Sequence, residues 1–118
     1  MEILCEVMVS DILPAFRALL ANELTQRYGL NQLEVSEKLG ITQPAVSQYI
    51  RGLRGYNVRL LQSNKTVVEF VKNLSSQIAS GEIKSDKVHE KICEVCEIVR
   101  KEKIVHQEST YPIADTGE

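Results

Sequence analysis

The chain has 118 residues, of which 43% are apolar and 25% charged, a length and balance expected of one folded domain rather than a disordered chain. Aromatics make up only 5% and Trp is absent, so the core should be built from aliphatic side chains, which suits packed helices better than a β-sandwich. The net charge of −2 excludes a uniformly basic nucleic-acid coat, and no run of about 18 apolar residues is present to span a membrane. The opening Met1-Glu2-Ile3-Leu4-Cys5-Glu6 has no basic stretch and no long apolar segment. It does not read as a signal peptide, and a cytoplasmic protein is expected.

Residues 1–13 are apolar and read as an N-terminal arm or short helix. Pro14 suits the first turn of a helix, where its missing N–H costs nothing. Phe16, Leu19, Leu20 and Leu24 follow at near-helical spacing, and Gly29 marks the stop, so a long helix is expected from Pro14 to Tyr28. Asn31 is a good N-cap with Glu34 in the capping-box position, and Gly40 ends this second helix. Leu33, Val35 and Leu39 should supply its apolar contacts. Thr42 caps a third helix with Pro44 in its first turn; Val46, Tyr49 and Ile50 form its inward stripe, and Gly52 and Gly55 break it. Ser63 or Thr66 should cap a fourth, with Val67, Phe70, Val71, Leu74 and Ile78 inward and Gly81 at its end. Ser85 and Asp86 start a fifth, carrying Val88, Ile92, Val95 and Val99 and fading near Ile104. Residues 107–118 read as a tail.

Charge is distributed unevenly along these elements. From Ile41 to Val68 there is no Asp or Glu, yet Arg51, Arg54, Arg59 and Lys65 lie there, while Glu90, Glu94, Glu97 and Glu102 gather near the C-terminal end. An acid-free basic stretch can bind a polyanion even in a near-neutral chain, although charge alone fits a solvated surface equally well.

The segment from Leu30 to Gly52 is more specific. Two short helices are separated by a tight Gly-Ile-Thr turn, with Ser36 small where they must cross and Ile41 and Val46 placed to fill the angle between them. This is the layout of a helix-turn-helix. The outward side of its second helix carries Gln43, Ser47, Gln48 and Arg51. Gln can pair with adenine N6 and N7, and Arg with guanine O6 and N7. A helix N-terminus offers N–H groups to phosphate.

On Leu30-Asn31-Gln32, Leu39-Gly40-Ile41-Thr42-Gln43, Ala45-Val46-Ser47-Gln48-Tyr49 and Arg54-Gly55, the chain resembles the lambda-repressor-like (Xre-type) helix-turn-helix regulators. It resembles more narrowly a group of short archaeal transcriptional regulators. The resemblance implies an all-α, five-helix repressor fold over about Pro14 to Ile78, followed by a C-terminal helical extension. A DNA-binding domain over 14–80 and a helix over 81–106 with a role in dimerisation are then expected. The resemblance also implies that Gln32 contacts phosphate, and that Gln43, Pro44, Ala45 and Gln48 meet base edges. Pro44 stands where many relatives have a hydrogen-bonding residue, which removes one base contact. Thr42, Ser47, Arg51 and Arg54 complete the expected DNA-binding set, with Arg51 and Arg54 mainly on phosphates. The expected partner is a palindromic double-stranded operator bound by a homodimer, with half-sites about 34–36 Å apart. The predicted fourth and fifth helices carry more apolar stripe than one such core needs, so part of it should pair with a second copy.

Cys93 and Cys96 form a Cys-x-x-Cys pair in the last predicted helix, about 60° apart around its axis, with His89 one turn earlier. With Cys5 they could hold zinc or an iron–sulfur cluster, each of which takes four ligands. Spacing alone fits equally a small buried hydrophobe at Cys96 and an idle thiol at Cys93. The narrower resemblance, in which an N-terminal Cys accompanies a late Ile-Cys-x-x-Cys, adds weight to metal, cluster or redox sensing. No phosphate-binding glycine loop or catalytic motif is present, so an enzyme is not expected. The other reading is an interaction module, antitoxin-like or an assembly subunit, with the helix-turn-helix as scaffold.

Overall fold

A computed structural model of the chain describes residues 11–102. Every regular element among them is helical: α1 (Leu13–Gln26), α2 (Gln32–Leu39), α3 (Gln43–Arg51), a 3-10 turn (Gly52–Arg54), α4 (Tyr56–Gln62), α5 (Lys65–Ala79) and α6 (Ser85–Glu102). Among the described residues the all-α expectation holds, with six α-helices where the sequence suggested five. The added one is α4. It is seven residues long, and only Val58 and Leu61 on it are buried, too short a pattern for periodicity to reveal.

The core is organised around α1. Its apolar residues are not confined to one stripe: Ala15, Phe16, Ala18, Leu19, Leu20, Ala21 and Leu24 are all buried. A helix apolar on most sides must be enclosed, and α1 packs against each of the other five. The Phe16 ring stacks on Phe70 of α5 at 5.6 Å between centroids. Pro14 opens α1 as expected, and the helix ends at Gln26, two residues short of Tyr28. The cap of α5 is Asn64, whose side chain accepts from the Val67 N–H at 3.0 Å. Ser63 and Thr66 flank that position and do not fill it.

The inner face of α6 corrects one expectation. Val88, Ile92, Val95 and Val99 are each at most 3% exposed and belong to the same core cluster as α1 to α5. α6 lies across α1, α2 and α5 within one chain. Its stripe is therefore consumed internally and is not left to pair with a second copy. Leu33 departs in the other direction: placed by sequence among the apolar contacts of α2, it is 52% exposed. Val35, Ser36 and Leu39 are the residues that helix turns inward.

Candidate nucleic-acid interface

The helix-turn-helix is fixed by local hydrogen bonds at each end of α2. Asn31 Oδ1 accepts from the Glu34 N–H at 2.8 Å, and the Asn31 N–H donates to Glu34 Oε1 at 2.9 Å. Both orphan donors of the first turn are thus satisfied reciprocally. At the other end Gly40 takes φ 70° and ψ 33°, the left-handed conformation that an L side chain rarely adopts. The chain turns there, and the Ile41 N–H returns to the Ser36 carbonyl at 3.0 Å. Ser36 is buried and donates its hydroxyl to the Leu33 carbonyl at 2.7 Å, so its polarity is satisfied within the helix.

Thr42 then starts α3, its Oγ1 accepting from the Ala45 N–H at 3.2 Å. Val46 is the one fully buried residue of α3. Ile41, Tyr49 and Ile50 are half-buried and pack against the core from the turn and the helix flanks. The opposite side is open: Thr42, Gln43, Pro44, Gln48 and Arg51 are exposed, and Ala45 and Ser47 half-buried. At about 100° per residue, Gln43, Ser47, Gln48 and Arg51 fall within about 140° of arc, away from Val46. A helix anchored by so narrow a seam, with its polar edge outward, can enter a groove without unfolding its own core. Gln32 sits half-buried in the first turn of α2, beside the capping box.

Polar contacts tie the cations of this region to the fold without neutralising them. Arg51 Nη1 donates to Ser47 Oγ one turn earlier, at 2.8 Å. Arg59, on α4, donates Nη1 to the Arg54 carbonyl at 2.6 Å, closing over the 3-10 turn. That turn is tight: the Gly55 N–H bonds the Gly52 carbonyl at 3.0 Å, and a Cβ on Gly55 would come within 3.2 Å of the same oxygen. Among the described residues the ion pairs lie on α1 and α6, and none involves Arg51, Arg54 or Arg59. The sequence put Arg59 in the acid-free stretch but not in the expected DNA-binding set, because four residues, Gly55 among them, separate it from Arg54. Tyr56, also outside that set, is the most exposed large apolar side chain among the described residues, at 67%. Tyr56 and Asn57 share an open groove with Gln48, Tyr49 and Pro14, which extends the polar edge of α3 toward α4.

The expected metal residues are only partly gathered. His89 and Cys93 are exposed on α6, whereas Cys96 is half-buried against the core. Among the described residues no three His, Cys, Asp or Glu side chains are grouped to hold a metal ion. His89, Cys93 and Cys96 therefore do not by themselves form a centre: the two cysteines are neighbours on the helix, but Cys93 is exposed and Cys96 sits at the edge of the buried stripe. Cys5 lies outside the described residues.

Residues 22–62, from the second half of α1 through α4, match the family model described as Helix-turn-helix. The match covers less than half of the chain and supports a DNA-binding, regulatory role for this segment. No curated protein and no solved structure matched. Among the described residues no helix is long and apolar enough to cross a membrane.

Proposed function

We propose that the chain is a sequence-specific DNA-binding transcriptional regulator. The observation that carries this reading is the exposed edge of α3: hydrogen-bonding side chains at Gln43, Ser47, Gln48 and Arg51, in a stretch free of acids, on a helix held by a single fully buried residue. Gln43 and Gln48 read bases; Gln32, Arg51 and Arg54 hold phosphates and set the register. The protein acts as a homodimer on a palindromic site, because one small module buries too little surface for regulatory affinity. With the α6 stripe buried within the chain, contacts between copies come from other surfaces. Light scattering checks this: a monomer at tens of micromolar that still binds a single half-site defeats the dimer.

The cysteines enter the proposal as an effector site. Cys93 and Cys96 supply two of the four ligands that zinc or a common iron–sulfur cluster requires. Cys5 supplies a third, and His89 or a second copy the fourth. What favours coupling to DNA binding is the placement of α6: its first residue lies against the turn between α2 and α3, where a Cβ built on Gly40 would touch Ser85 Cβ at 3.5 Å. Metal and sulfide analysis after anaerobic purification tests this part by itself.

The main reading is tested with the whole chain and duplex selected from a random pool, by fluorescence anisotropy across a salt series. Affinity falling steeply with salt, and tighter on selected than on random duplex, is expected. Absence of duplex binding at low salt returns the helix-turn-helix to the role of a protein-interaction scaffold.

A further inference from the structure

The tight 3-10 turn after α3 is held from outside by an arginine that no motif singled out. Arg59 reaches back from α4 and donates to the Arg54 carbonyl at 2.6 Å. A guanidinium has five N–H donors, so one hydrogen bond to a carbonyl leaves most of them and the whole charge unspent. A carbonyl also returns no negative charge, unlike the carboxylate that pairs with Arg27 on α1. The bond therefore brings the Arg59 charge to the backbone of Arg54 and holds it there. Among the described residues no ion pair involves Arg59, and it is exposed.

Holding two cations in neighbouring turns is unfavourable by itself. It becomes favourable when a polyanion lies across both. We propose that Arg59 is a second phosphate clamp of the duplex-binding face: it fixes the turn that carries Arg54 and contacts the backbone of the same duplex with its remaining donors. This rests on the DNA-binding reading and extends it to α4, outside the two helices of the motif. The local geometry supports the dual role. The short 3-10 turn leads directly into α4, whose Arg59 N–H returns to the Gly55 carbonyl at 3.2 Å, so the carbonyl that Arg59 grips and the helix that carries it are joined by one turn of chain. Contact to phosphate is sequence-independent, so Arg59 adds affinity to every duplex alike and leaves base choice to α3.

The test is the slope of log affinity against log salt for the full-length protein on selected and random duplexes. Arg59→Gln removes the charge but keeps an N–H₂ that can donate to the Arg54 carbonyl. Arg59→Met removes both. Arg59→Lys keeps the charge. One phosphate contact corresponds to a slope change of about 0.9. The slope is expected to fall by about that amount in Arg59→Gln and Arg59→Met, equally on both duplexes, and to stay at the parent value in Arg59→Lys. Lys91→Gln, an equal loss of charge on α6, should leave the slope unchanged. If one neutral variant is too unstable to assay, the other decides. A parental slope in a folded neutral variant overturns the proposal, whatever happens to its melting temperature; so does an equal fall in Lys91→Gln. If the parent protein binds no duplex, the functional reading itself has failed, an outcome distinct from a parent that binds and a variant that does not change.

Discussion

Between Ile41 and Val68 four cations stand with no acid among them, whereas the outward face of α6 alternates Lys87–Glu90, Lys91–Glu94 and Glu97–Arg100 at ion-pair distances of 3.4 to 4.0 Å. Both regions are charged and exposed, yet they spend charge differently. The α6 pairs cancel over a few ångströms and project little field. Their contribution to stability is also small, because both members stay hydrated. Around α3 and α4, Arg51 is anchored by a hydroxyl and Arg59 by a carbonyl oxygen instead, which fix position without cancelling charge. Net charge, at −2, averages these two faces and hides both. The lesson concerns burial as well. α3 buries one residue fully and presents its side chains outward, while α6 buries four and presents a solvated exterior.

The largest effect expected from breaking this contrast is on α6. Ile92→Ala removes a side chain that is 3% exposed in the common core and should cost about 2–5 kcal/mol of unfolding free energy. Chemical denaturation measures it. The loss should be independent of protein concentration, since the stripe packs within one chain. A cost that vanishes at high protein concentration would instead place Ile92 between copies.

Next in size is Gln48→Ala on α3. The side chain is exposed and supports nothing in the core, so stability should be unchanged within error. Affinity for the best duplex should fall by about 1–3 kcal/mol, and affinity for random duplex much less. Arg54→Ala should weaken both alike. Equal losses on the two duplexes for Gln48→Ala would remove it from the base-reading set and leave α3 as a backbone-binding helix only.

How legible this contrast was in the sequence depended on the length of the pattern behind each part. The α2–α3 unit was readable because its signals are local: a cap at Asn31 with Glu34 three residues on, a stop at Gly40, a cap at Thr42. Each works through hydrogen bonds spanning three or four residues, and the structure contains all of them. The Val88–Ile92–Val95–Val99 stripe was equally readable as a helix face. What it packs against was not, since periodicity says that a face is apolar and never names its partner. α4 escaped because two buried residues between two glycines and a cap make no period. Arg59 was legible only as one cation of the acid-free stretch: its partner is a backbone oxygen, which carries no sequence signature at all. Leu33 shows the converse error, an apolar residue at helical spacing that the first turn of α2 turns to solvent.

The capping box allows a smaller intervention. Asn31→Ala leaves the Glu34 N–H in the first turn of α2 without its side-chain acceptor and should cost about 0.5–2 kcal/mol. Because Gln32 is the first residue of that helix, fraying there should also weaken duplex binding, on selected and random sequence alike. Asn31→Ser retains a capping oxygen and should recover most of both losses. Recovery of stability without recovery of affinity would show that Asn31 itself touches the duplex.

The smallest effect expected comes from the acids of α6, and its dependence on salt is the informative part. Replacing Glu90, Glu94 and Glu97 together with Gln removes the carboxylate of each exposed pair. In Lys87–Glu90 and Lys91–Glu94 the cation precedes the acid, the less favourable order along a helix. Stability should therefore change by less than about 1 kcal/mol. The substitution raises the net charge by three, which on a simple whole-molecule view should strengthen duplex binding at every salt concentration. Two separate faces behave differently. At about 0.15 M salt, fields are screened over about 8 Å, so charges outside the α3–α4 face should barely affect the affinity. At about 0.01 M the screening length reaches about 30 Å, comparable to a small domain, and association should then become faster. Stopped-flow mixing at the two concentrations distinguishes the cases. A faster on-rate confined to low salt, with an unchanged salt slope near physiological ionic strength, is what two electrostatically independent faces require. An affinity gain of the same size at both concentrations would mean that α6 itself lies against the duplex.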